Sequence, residues 1–132
     1  MAPIKALILG ALSLFPSAIA VKLLGTHFSG QIYTFDLTLP SAGGSTGSIA
    51  VTSKTTGCGV TPTWLYLDQE TRTLYCFDES WAGSGVITQW KYDPSKGSQA
   101  LTLSGSAKTP GNSVHGSRYG GKDGKSFVIT SE

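Results

Sequence analysis

The chain has 132 residues, a formal charge of +2 and only 14% charged residues. So small a surplus excludes the basic footprint of a nucleic-acid binder or a polybasic membrane surface. Seventeen glycines with many Ser, Thr and aromatic residues suit one modest all-β domain.

Residues 1–20 read as a signal peptide. Lys5 supplies the positive start, Ala6 to Phe15 the uncharged apolar run, Pro16 the break, and Ala18–Ile19–Ala20 an A-x-A cleavage site. The apolar run is too short for a spanning helix. The mature chain is expected to begin at Val21 and to be secreted. A buried N-terminal helix is the alternative.

Strands are predicted over 21–28 and 31–37, joined by a turn at Ser29–Gly30. A Gly/Ser-rich loop over 40–47 leads to an outer strand over 48–54. The stretch 61–79, TPTWLYLDQETRTLYCFDE, reads as a hairpin turning through 68–72. Its arms are apolar on both faces, with Trp64 and Tyr66 opposite Leu65 and Leu67, so it needs cover on both sides. It ends on the two carboxylates Asp78–Glu79. A loop over 80–85 precedes strands over 86–92 and 100–104, with a turn at 93–97. A last hairpin joins 114–119 to 126–130 around residues 120–124.

Cys58 lies in a Gly–Cys–Gly loop and Cys76 on the return arm of the hairpin. In an exported chain a Cys58–Cys76 disulfide is expected, with two buried thiols as the alternative. Two cysteines without nearby histidine do not make a zinc site, so no metal and no cofactor is expected.

The order of segments repeats. QETRTLYCFDE (69–79) aligns with KDGKSFVITSE (122–132), and QIYTFDL (31–37) aligns with VITQWKY (86–92) at nearly the same offset. A four-stranded unit of about fifty residues, present about twice, is the mark of β-propeller blades. Evenly spaced strands alone also fit a sandwich. Two blades do not close a propeller. The chain is therefore expected to be a fragment of a longer protein, or one of several assembling chains.

Gly120 to Ser126 is not a phosphate loop, because only three residues separate its glycines and a strand follows. Gly43-Gly44-Ser45-Thr46-Gly47 has the G-x-S-x-G spacing but lies in the Gly/Ser-rich loop with a strand after it, so it is not a nucleophile elbow, and Asn112–Ser113–Val114 is not a glycosylation site. Of the two histidines, His27 and His115, the second starts a strand. The repeat sets it level with Pro62, at the end where Asp78–Glu79 and Glu132 emerge. A histidine and a carboxylate at one rim can serve as general acid and base, although a histidine in a turn is more often solvated surface.

The runs GTHFSGQIYTFD, TPTWLYLD, TLYCFDE and GSGVITQWKYDP resemble the lactonase-type seven-bladed propellers, over Leu23 to Glu132. That family includes carboxy-cis,cis-muconate cyclase and the propeller form of 6-phosphogluconolactonase. The export signal and the Gly–Cys–Gly loop are similar to the secreted fungal branch. The resemblance implies closure or opening of a lactone ring on a small lactone or carboxylate substrate. His115, in Val114–His115–Gly116–Ser117–Arg118–Tyr119, would transfer the proton, Glu79 would assist, and Arg118 would bind substrate. Thr63 stands where the cyclase pattern has an arginine. A chain of this length is expected to be inactive alone. The competing expectations are a non-catalytic secreted propeller that binds through its surface, and a small disulfide-tied sandwich that binds carbohydrate through Trp64, Trp81 or Trp90.

Overall fold

A computed structural model describes residues 20–81, 83–120, 123 and 125–131. Residues 1–19 of the expected signal peptide, Ala82, most of the last turn and Glu132 lie outside these residues, whereas the expected cleavage junction Ala20–Val21 falls at the start of the first strand. The described chain is nine strands and one short 3-10 helix: β1 (Ala20–His27), β2 (Gln31–Thr38), β3 (Ser48–Thr56), β4 (Pro62–Asp68), β5 (Thr73–Asp78), β6 (Val86–Tyr92), β7 (Leu101–Lys108), β8 (His115–Gly120) and β9 (Ser126–Ser131). All nine expected strands form. Two segments differ from expectation. β7 runs on to Lys108, because it keeps pairing with β6 as far as Val86. The turn after Tyr92 tightens into a 3-10 helix (Pro94–Gln99), whose N-cap Asp93 accepts from the Ser95 N–H, with proline at its start.

The strands form antiparallel sheets of three (β1-β2-β3), four (β4-β5-β6-β7) and two (β8-β9) strands. Among the described residues only the middle sheet has the full four strands expected of each unit. The repeat is nonetheless structural. A register shift falls between Thr34 and Phe35 in β2, and another falls between Gln89 and Trp90, the aligned place in β6. At the start of β4 Pro62 pairs with Asp78, and at the start of β8 His115 pairs with Ser131 in the same way.

Strand β5 is the centre of the fold, and all six of its residues are buried. Its Leu74 and Cys76 face a core with Ile32, Cys58, Trp90 and Leu101, against which Leu24, Leu65 and Leu67 pack. On its other face Phe77 is fully buried, beside its cross-strand partner Trp64 and under Gly116 of the next hairpin. The return arm β5 is covered on both sides, as its two-faced apolar pattern requires, while in β4 Trp64 stays exposed. Cys58 and Cys76 form the expected disulfide, with Cα atoms 5.8 Å apart. It ties the loop leaving β3 to the central strand. Asp68 closes the β4–β5 turn, accepting from the Glu70 and Thr71 N–H groups at 3.1 and 3.3 Å. Among the described residues no helix is long and apolar enough to cross a membrane.

Candidate active site

Strand direction sorts the polar groups onto two rims. One rim collects the ends of β1, β3, β5 and β7 and the starts of β4 and β8. It carries His27, Asp78, Glu79, Trp64, Trp81 and His115. The opposite rim carries Asp68, Glu70, Arg72 and Gly120.

At the first rim Asp78 is buried and structural. Its Oδ1 accepts from the Thr61 backbone N–H at 2.7 Å and from the Thr61 hydroxyl at 3.0 Å. Gly59, at φ +76°, lies so close that a Cβ there would overlap the Asp78 side chain. The Thr61 hydroxyl is in turn reached by the Ser80 N–H at 2.8 Å. The backbone of Glu79 is thereby fixed while its side chain stays partly exposed. The Glu79 N–H donates to the Thr61 carbonyl, and the Glu79 carbonyl accepts from Asn112 N–H at 2.5 Å. That last bond holds the segment leading into His115 against the residue that follows β5.

His115 is exposed at the start of β8. Three contacts seat this strand end on the middle sheet. The Thr63 hydroxyl donates to the Ser113 carbonyl at 3.3 Å. The Trp64 indole N–H donates to the Gly116 carbonyl at 2.9 Å. Gly116 rests on the Phe77 ring so closely that any Cβ would overlap it. The Trp64 and His115 rings then lie 4.3 Å apart at 43°. His27, also at this rim, exchanges a hydrogen bond with the Ser29 hydroxyl at 3.0 Å. Phe28 and Trp81 meet edge to face at 6.1 Å, both largely exposed.

The structure thus brings His115 and Glu79 to one rim, linked through the backbone at Asn112. Arg118 lies three residues along β8 from His115, about 10 Å at the rise of a strand. Its guanidinium pairs with the buried Asp68 carboxylate. The Thr71 hydroxyl above all, and Arg118 as well, hold the Asp68 carboxyl below the usual carboxylate range against the opposing effect of burial. Of the three tryptophans named for carbohydrate binding, Trp90 is a core residue, 3% exposed, with its indole N–H on the Thr88 hydroxyl. Trp64 and Trp81 remain at the rim. The contact between Trp64 and His115 was not foreseen. Its signal is the repeat itself, which sets the start of β4 beside the start of β8. Among the described residues no group of three or more His, Cys, Asp or Glu is placed to hold a metal ion.

Strands β4 and β8 head neighbouring sheets and lie side by side. β4 is followed by the antiparallel meander of a complete four-stranded sheet and β8, among the described residues, by one antiparallel strand, as at the start of successive blades of a β-propeller. The chain belongs to the lactonase family of seven-bladed β-propellers, whose model (Lactonase, 7-bladed beta-propeller) matches residues 22–132. No curated protein and no solved structure gives a match.

Proposed function

We propose that this chain supplies part of the active rim of a propeller enzyme that opens or closes lactone rings on a small molecule. The carrying observation is the shared rim of His115 and Glu79, held together by the 2.5 Å bond from the Asn112 N–H to the Glu79 carbonyl. In ring opening, His115 takes a proton from the attacking water and returns it to the departing ring oxygen. On a carboxymuconate, ring closure instead adds a substrate carboxylate oxygen to one carbon of a C=C bond, and protonated His115 delivers its proton to the other carbon, so no water is consumed or released. Glu79 orients the imidazole or the water. Arg118 is engaged by Asp68, so substrate binding by Arg118 requires that pair to open.

The buried Cys58–Cys76 bridge supports export to an oxidising compartment, and with it removal of residues 1–20. The intact mass of the native protein, with and without reductant, tests both the export and the length of the natural chain. The activity is tested on that native protein with glucono-δ-lactone and a carboxymuconate as substrates. His115→Asn is expected to lower kcat by roughly 10²- to 10⁴-fold, the usual contribution of a general acid–base group. Unchanged turnover in that variant rejects the reading. A second reading, a non-catalytic binding propeller, is favoured by the exposed Phe28–Trp81 pair at the same rim. It predicts no turnover of either compound.

A further inference from the structure

We propose that Trp64 is a positioning residue for His115, a clamp that fixes the plane of its imidazole. The inference rests on the proton-transfer reading of His115, and its geometry comes from the β4–β8 contact. An exposed histidine at a strand end ordinarily exchanges among several side-chain rotamers within picoseconds to nanoseconds. Here one flank is occupied by an indole whose centroid is 4.3 Å from that of the imidazole. The indole is itself held at its far end, because its N–H donates to the Gly116 carbonyl at 2.9 Å. Gly116 is in turn seated on the fully buried Phe77 ring. The chain of contact runs from core to indole to imidazole without a gap. The fixed partner is on β4 and the histidine on β8, so the clamp acts across two blades. It orients His115 only while the blades stay in register.

Two features separate this role from simple packing. Trp64 is 37% exposed although its ring is large and apolar, so burial alone does not account for its place. Its single polar atom is directed at the residue immediately after His115, which ties the orientation of the indole to the backbone that carries the imidazole. Proton transfer needs that orientation, since a displacement of about 1 Å in a catalytic group costs up to ~10²-fold in rate.

The test is nuclear magnetic resonance on the full native chain, with His27 as internal reference. In the wild type, cross-relaxation is expected between the Trp64 indole and the His115 ring protons, and ring current displaces those protons upfield. Trp64→Leu returns them to the position of a free histidine, whereas Trp64→Phe keeps part of the displacement. Absence of cross-relaxation in the wild type overturns the clamp without any variant needing to fold. An unmoved His115 signal in Trp64→Leu overturns it too. In lactone turnover, Trp64→Leu lowers kcat roughly 10- to 100-fold with little change in KM, and Trp64→Phe recovers part of the loss. A raised KM at unchanged kcat makes Trp64 a substrate platform and rejects positioning. Should His115→Asn turn over normally, the proton-transfer reading fails, while the resonance data still judge the clamp.

Discussion

Strands β1 and β5 hold the same place in successive repeats, yet β5 is buried at every residue and β1 is mostly exposed. Each leads into a strand with a register shift at the corresponding position. Residue type does not explain the contrast. Val21 and Leu23 in β1 are each 37% exposed, while Leu74 and Phe77 in β5 are at 0%. Neighbours explain it. β5 has β4 and β6 on its edges, the first sheet on one face and the last hairpin on the other. β1 has β2 on one edge, and among the described residues no strand pairs with the other. Burial in this fold belongs to position within a stack of blades.

The largest expected effect tests that contrast directly. Phe77→Ala should cost about 3–5 kcal/mol in urea unfolding, as for other buried phenylalanines, and Leu23→Ala less than about 1 kcal/mol, as for surface positions. Equal losses would break the comparison. Next is the disulfide, which joins the first sheet's exit loop to β5 across 18 residues. Replacing both cysteines by alanine should remove about 3 kcal/mol by the loop-closure estimate. A loss near zero would mean that packing around β5 holds the loop unaided.

The two ion pairs sharpen the comparison further. Asp68–Arg118 links β4 to β8 around a buried carboxylate, whereas Lys22–Asp36 spans exposed groups of β1 and β2 at 2.5 Å. The Asp68 carboxyl is held below its ordinary 3.8 in the folded chain. Its stabilisation is therefore complete above 3.8 and is lost as pH falls through the lower folded value. Thermal midpoints of the wild type should drop more steeply below pH 3.8 than those of Asp68→Asn. Parallel curves would remove Asp68 as a source of acid sensitivity. The smallest effect is expected from Lys22→Ala, within about 0–1 kcal/mol, as for exposed pairs. A larger loss would show that the edge of β1 is better ordered than its exposure implies.

Much of the fold was legible because the patterns that dictate strands are local. Alternating arms, Gly and Asp at the turns, and the nearly constant offset between aligned segments yielded nine strands and their order. The extension of β7 to Lys108 was not legible. Its added residues are Gly105, Ser106, Ala107 and Lys108, and only pairing with β6 makes them a strand. The number of strands in each sheet was also hidden, since a repeat in sequence does not say which copies are complete. At the site, the shared rim of His115 and Glu79 followed from the repeat. The partners of His115 and Arg118 did not, because Trp64 and Asp68 lie a whole repeat away from them.

The sequence by itself determined an all-β chain of repeated hairpins, Cys58 and Cys76 as the one possible disulfide within the chain, and the shared strand end of His115 and Glu79. Side-chain alternation, turn chemistry and cysteine count act over short stretches or by simple elimination. Tertiary structure alone decided which carboxylate is structural and which stays accessible. It also decided that Arg118 faces Asp68, that Trp90 belongs to the core, and that Trp64 lies against His115. Each of these depends on how one blade sits on the next, and that is fixed by shape and burial between strands far apart in the chain.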